Sequence, residues 1–279
     1  AENADSVLVN RASQGLYPPG STFKLVTALA YIRQNADSFN EYEYDCDSLY
    51  DLDGHKISCA FGTAHGVLDL RQSIVNSCNT SFINMGLGLD IDGYRDTAQS
   101  LLFNGKLPLD MEYNESSFAL DGESSEWEIA QTSFGQGRTL ITPMHLAMIG
   151  NAIGNDGVLM KPYLTDRVES VNGVVIKRFK PEEYGSLMSE EEAAILRDAM
   201  TGVAQVSFEW LFGGQEYTVA CKSGTAQYGT QGYEHSLFVS FSPADSPEIS
   251  VTVLIEGGPQ RDTSAAEAAK LIYDYYYSR

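Results

Sequence analysis

From residue 217 onward the sequence falls into a period of two, three times over. Tyr217, Val219 and Cys221 alternate, then Leu237, Val239 and Phe241, then Ile249, Val251, Val253 and Ile255. Alternation of this kind puts the apolar side chains on one face of a strand. Upstream the period is helical: Leu25, Ala28, Leu29 and Ile32 share one face. Asp69 caps a helix, a second follows from about Thr80, and Thr142-Pro143 opens another that Gly154 or Gly157 ends. Ser189 with Glu192 and Ser264 with Glu267 have capping-box spacing, the second pair opening a last helix through Leu271, Ile272 and Tyr275. The polar, acidic stretch Asn35 to Asp53 reads as loop. Helices first and closely connected strands last predict an α+β fold, an antiparallel sheet covered by helices.

At 279 residues and 43% hydrophobic, the chain is long and apolar enough for a sizeable core. The net charge of −20 argues against nucleic acid as a partner and against long-range steering of anions. A carboxylate-bearing substrate has to be captured by a few local cations. No apolar run reaches the roughly 18–20 residues of a membrane helix, and no signal peptide is visible at Ala1. An export signal or anchor is therefore expected outside this chain. Cys46, Cys59, Cys78 and Cys221 include no Cys-x-x-Cys pair and show no metal-ligand spacing with the four histidines. The expectation is no metal and no cofactor.

Three short segments carry candidate chemistry. In Ser21-Thr22-Phe23-Lys24 the serine stands where a helix begins, and residues three apart share a helical face, so the lysine amine reaches the hydroxyl. Serine needs a base to become a nucleophile. Lysine serves only if its pKa falls, which the positive end of the helix dipole favours. By itself the motif is weak, since a capping serine and a solvated lysine have the same spacing. Ser77-Cys78-Asn79 falls between two helices, where its serine can shuttle a proton and its asparagine hold a substrate amide. Lys222-Ser223-Gly224-Thr225 ends the first late strand. Its lysine and hydroxyls suit a carboxylate, and Gly224 leaves room for a substrate backbone at the strand edge.

Taken in order, these segments resemble the three motifs of penicillin-binding proteins and related β-lactamases. Asn10-Arg11-Ala12 and Tyr17-Pro18-Pro19-Gly20 before Ser21 are similar to class B penicillin-binding proteins, as are His65-Gly66, Gly135-Gln136-Gly137, Asn155-Asp156-Gly157 and Lys161-Pro162. The resemblance runs from about Asn10 to the end and implies one D,D-transpeptidase domain over residues 1–279. Its fold would be an antiparallel sheet flanked by helices beside a mainly helical lobe.

The resemblance also implies roles. Ser21 attacks a stem-peptide D-Ala-D-Ala bond or a β-lactam, and Lys24 is the general base. Ser77 and Asn79 assist proton transfer and grip the donor. Lys222, Ser223 and Thr225 bind the terminal carboxylate, while the N–H groups of Ser21 and Thr225 form the oxyanion hole. It implies an extracytoplasmic domain anchored through an N-terminal segment, with a SEDS-family glycosyltransferase as partner through regions outside this chain. Family members usually carry one or two strands before the Asn-Arg-Ala segment, and these are not apparent in the 20 residues before Ser21.

In that compartment Cys46 and Cys59 either pair or remain two buried thiols. Cys78 and Cys221 are expected to fill packing positions, His65 and His235 to be structural, and Arg138 to be an anchor beneath the site. A class D β-lactamase also fits Ser-Thr-Phe-Lys, but that family normally has valine where this chain has Asn79. A non-enzymatic β-lactam sensor would keep the same residues, and the lifetime of an acyl-enzyme and the cross-linking of stem peptides separate the three readings.

Overall fold

The period-two segments pair as an antiparallel sheet. The computed structural model describes residues 8–228, 233–257 and 263–279. A 3-10 turn, Gly20–Phe23, runs into α1, Lys24–Gln34. Four short strands follow: β1 Tyr44–Cys46, β2 Leu49–Leu52, β3 His55–Ser58 and β4 Gly66–Leu68. Then come α2 Leu70–Val75, α3 Asn79–Leu87, α4 Ile91–Ser100, α5 Glu126–Ser133 and α6 Pro143–Gly154. The strands β5 Val158–Met160, β6 Arg167–Glu169, β7 Val175–Arg178 and β8 Glu183–Ser186 lead to α7 Glu190–Ser207 and α8 Glu209–Phe212. The chain ends in β9 Ala220–Tyr228, β10 Tyr233–Ser242, β11 Ile249–Ile255 and α9 Ala265–Tyr277. No helix among the described residues is long and apolar enough to cross a membrane.

Strand β10 is central, with β9 and β11 on either side, and its register sets Val239 opposite Lys222 and Leu237 opposite Gly224. Alternation along β10 separates two covered faces. Val239 and Phe241 meet α6 at Gly150 and Gly154. On the other face Phe238 stacks with Phe212 of α8, and Ser240 accepts a 2.7 Å hydrogen bond from Tyr273 of α9. Tyr217 and Val219 are buried but precede the strand; Tyr217 stacks on Tyr277 at 4.7 Å instead.

The helix starts lie where their side chains predict. Asp69, Ser189 and Ser264 close capping boxes with Gln72, Glu192 and Glu267, and Thr142 accepts from the His145 N–H. The stretch from Asn35 to Asp53 is not all loop: it contains β1 and β2, paired with β4 and β3. Such ribbons bury too little to alternate visibly, so their pairing leaves no local pattern. Phe23 of the 3-10 turn packs among Tyr94, Phe103 and Phe118, which anchors the start of α1 in the helical lobe.

Candidate active site

Ser21 is half-buried in the 3-10 turn, while Lys24, the first residue of α1, is wholly buried. The Lys24 Nζ lies 3.1 Å from Ser21 Oγ, 2.6 Å from the Ser77 carbonyl, 3.2 Å from Ser77 Oγ and 2.7 Å from Asn79 Oδ1. Its pKa is held well below the ordinary lysine value, first by burial and then by the charge of Lys222. A neutral amine has two N–H groups and one lone pair. The carbonyl of Ser77 and the amide oxygen of Asn79 only accept, so they take the two N–H groups. The lone pair is left for a hydroxyl proton, and Ser21 Oγ is in reach of it.

The residues that hold Lys24 are themselves held. Asn79 opens α3 and donates through Nδ2 to the Ser58 carbonyl at 2.9 Å. Ser77 sits at a φ of 51°, a left-handed conformation unfavourable for a residue with a Cβ, which turns its carbonyl and hydroxyl toward Lys24. The Ser77 hydroxyl also receives the Lys222 Nζ at 2.9 Å, and that amine donates to the Ser223 carbonyl at 3.1 Å. Burial lowers the Lys222 pKa to about 8. Beyond it on β9, Ser223 is half-buried and Thr225 exposed.

Close backbone contacts join the first and third segments. A Cβ on Gly224 would stand 2.7 Å from the Pro19 carbonyl oxygen, so the approach of the nucleophile turn itself requires glycine here. Gly20, at a φ of 55°, would with a Cβ meet the Thr225 carbonyl oxygen at 2.6 Å and its nitrogen at 3.1 Å. Gly135 has a φ of 88° and a Cβ there would lie 1.7 Å from the Gly20 oxygen. The Gly20 N–H donates to the Gly135 carbonyl at 2.9 Å, and Gln136 Nε2 to the Thr225 carbonyl at 3.4 Å. Gly135 and Gln136 are thus part of the site's frame, a role that residue chemistry alone does not announce. Arg138 is not beneath the site; it is largely exposed and pairs with Glu128 at 2.5 Å.

A second cluster adjoins Ser77 through Cys78. Cys46, Cys59, Cys78 and His65 come together with one ligand atom from each inside 4.8 Å of the others. Cys78 and His65, expected to serve packing and structure, are also members of a four-donor set that the spacing of cysteines and histidines does not reveal. The reason is topological: Cys46 ends β1, Cys59 follows β3, His65 precedes β4 and Cys78 caps α3, and only ribbon pairing unites them. The Cys46 and Cys59 sulfurs are unbonded, 3.8 Å apart. Hydrogen bonds from Cys78 and then Thr80 favour the thiolate of Cys59 and outweigh its burial. Cys221 is buried against the sheet core, where burial pushes its thiol up.

Known proteins share this architecture. The family described as the penicillin binding protein transpeptidase domain matches residues 1–274. Peptidoglycan D,D-transpeptidase PbpA of Mycolicibacterium smegmatis is 29% identical over 273 residues, which are 93% of this chain and 54% of that protein. PbpA of Mycobacterium tuberculosis is 30% identical over 270 residues, 93% of this chain and again 54% of the relative. The chain thus spans about half the length of these curated relatives.

Among solved structures, penicillin-binding protein A from M. tuberculosis in its imipenem acyl-enzyme complex superposes with a TM-score of 0.88 at 27% identity, covering 99% of this chain and 63% of that one. The D,D-transpeptidase domain of a peptidoglycan glycosyltransferase from Eggerthella lenta gives 0.88 at 30% identity, covering 99% and 69%. With matches that span nearly the whole chain in both sequence and fold, this protein belongs to the penicillin-binding protein transpeptidase family.

Proposed function

We propose that this domain is a peptidoglycan D,D-transpeptidase that works through an acyl-enzyme on Ser21. The observation that carries the reading is the buried Lys24, whose two N–H groups are occupied by Ser77 and Asn79 while its lone pair faces the Ser21 hydroxyl. Lys24 takes the Ser21 proton as Oγ attacks the penultimate D-Ala carbonyl. The N–H groups of Ser21 and Thr225 receive the developing oxyanion. Lys222, Ser223 and Thr225 hold the terminal carboxylate, and Ser77 relays a proton to the departing D-Ala amine. Asn79 grips the donor amide. An amine from a second stem peptide then attacks the ester, Ser21 leaves with its proton restored, and the cross-link is made.

β-Lactams acylate the same hydroxyl. The reading puts the domain outside the cytoplasmic membrane, tethered through a segment N-terminal to it, with a SEDS-family glycosyltransferase engaged outside these 279 residues.

Intact mass spectrometry after a β-lactam pulse tests this. One adduct mapping to Ser21, absent in Ser21→Ala and persisting for many minutes, is expected. Clearance at roughly 1–1000 per second would make the protein a β-lactamase. No adduct in folded protein would remove Ser21 from the role. Cross-linking of a D-Ala-D-Ala stem peptide separates a transpeptidase from a β-lactam sensor.

A further inference from the structure

We propose that Thr27, oriented by Tyr94, is a positioning residue that fixes the spacing of the two oxyanion donors, the N–H groups of Ser21 and Thr225. The inference rests on the role given to Ser21 above. The two donors come from different parts of the fold, Ser21 from the 3-10 turn before α1 and Thr225 from β9. An oxyanion hole works only when both N–H groups point at one place, so the turn has to be set against the strand.

The Gly135–Gln136 segment touches both parts. Its Gly135 carbonyl accepts the Gly20 N–H at 2.9 Å, and Gln136 Nε2 donates to the Thr225 carbonyl at 3.4 Å. One segment thus brackets the nucleophile turn and β9. It follows directly on α5, which ends at Ser133, so the bracket moves with the end of that helix.

The Thr27 side chain ties the end of α5 to α1. Thr27 Oγ1 lies 2.9 Å from the Ser133 carbonyl, 2.6 Å from the Tyr94 hydroxyl and 3.4 Å from the Phe23 carbonyl. Thr27, Tyr94 and Ser133 are all wholly buried. A threonine hydroxyl has one proton to give. The Ser133 carbonyl only accepts and is the nearer of the two carbonyls, so it takes that proton, and Tyr94 donates to Thr27 in turn. Burial holds the Tyr94 phenol above its ordinary pKa, so its proton stays in place. The Ser133 carbonyl is one of those that a helix C-terminus leaves without a partner inside the helix.

Lys24 and Thr27 are three residues apart and share a face of α1. Lys24 is clamped by Ser77 and Asn79, and one turn further on Thr27 grips α5. Helix α3, which opens with Asn79, seats on the same end of α5: a Cβ on Gly86 would stand 1.7 Å from Ser133 Oγ. The Tyr94 ring packs against Phe23 and Phe118, with centroids 6.4 and 5.1 Å away, which holds its hydroxyl on Thr27. Without the Thr27 hydroxyl, α5 loses the bond that registers it on α1, and the bracket shifts with it. A misplacement of about 1 Å costs up to about 100-fold in rate. Thr27 itself does not touch substrate.

The test follows acylation of the purified chain by a chromogenic β-lactam at rising concentration, which separates the limiting rate from the half-saturating concentration. Thr27→Val keeps the shape and removes the hydroxyl. Its limiting rate should fall at least about tenfold with half-saturation little changed. Thr27→Ser keeps the hydroxyl and should stay within about threefold of wild type. Thr27→Val also takes the acceptor from the Tyr94 hydroxyl and should lower the melting temperature. In T27V/Y94F that buried hydroxyl is gone too, so the melting temperature should recover in part while acylation stays as slow.

A Thr27→Val chain acylated at the wild-type rate, or one that loses only half-saturation, would overturn the proposal. So would a T27V/Y94F chain that regains rate together with melting temperature, since the loss would then be one of stability. Hydrogen exchange at the Gly20 amide, read by NMR, needs no β-lactam. Its bond to Gly135 should open more often in both chains that lack the Thr27 hydroxyl, with exchange at least about tenfold faster, and stay protected in Thr27→Ser. Equal exchange in wild type and all three variants would overturn the link from Thr27 to the nucleophile turn. The expected exchange pattern in a protein that no β-lactam acylates counts against the Ser21 reading alone.

Discussion

Lys24 and Lys222 converge on one hydroxyl: Ser77 Oγ lies 3.2 Å from the first amine and 2.9 Å from the second. Two wholly buried lysines this close cannot both carry full charge cheaply, and their tasks differ. In the proposed mechanism Lys24 uses its lone pair, and Lys222 uses its proton to hold a carboxylate. After burial, the charge of Lys222 is part of what lowers the Lys24 pKa.

This arrangement predicts a bell-shaped pH profile for acylation. Lys24 acts when neutral, so the rate rises with pH through its lowered pKa. Lys222 acts when protonated, so the rate falls above its pKa of about 8. In Lys222→Ala the alkaline limb disappears and the acid limb moves upward, because Lys24 loses a repelling neighbour. Stopped-flow acylation with a chromogenic β-lactam between pH 5 and about 10 reads both limbs. An acid limb that stays put in the variant would show that the two amines do not interact.

Lys24→Ala should slow Ser21 acylation by at least about 100-fold at neutral pH, the usual loss for a general base. Methionine at the same position keeps the buried stem without the amine and should lose as much. A rate within a few fold of wild type would assign the base elsewhere.

Lys222→Ala should also discriminate between substrates. A charge-assisted hydrogen bond contributes about 1.5–3 kcal/mol, so acylation by a carboxylate-bearing β-lactam should slow roughly 10- to 150-fold. The corresponding ester should react with wild type and variant at similar rates. Equal losses for acid and ester would mean that Lys222 acts through Ser77 alone.

Gly135→Ala and Gly137→Ala form a matched pair. Both glycines have a left-handed φ, 88° and 84°, so either alanine costs about 1–2 kcal/mol of strain. Only the Cβ at 135 collides with Gly20; at 137 the nearest atom is 3.5 Å away. Both variants should melt a few degrees lower, but only Gly135→Ala should also lose acylation, by tenfold or more. Equal acylation rates would separate Gly135 from the nucleophile turn.

Local chemistry was readable and long-range chemistry was not. The period of β10 and β11, the capping boxes at Ser189 and Ser264, and the Ser21–Lys24 spacing each lie within a few residues, and the structure has them in place. The helix after Ser125 carries the same capping signal with Glu128 and was readable in principle. What Ser77 does between two lysines depends on a residue 145 positions away. The four-donor cluster depends on ribbons whose exposed side chains leave no alternation to read. Residue types there were visible, but the pairing that unites them was not.

Gly20 is packed between Gly135 and Thr225, so the nucleophile is assembled from stretches made at very different times. A ribosome delivers Ser21 well before β9. Until β9 docks, Lys24 has no Lys222 beside Ser77, and Gly20 has only one of its two backbone neighbours. A chain cut short of β9 should therefore be chemically silent, and a fluorescent penicillin added during translation should count only molecules that extend past that strand.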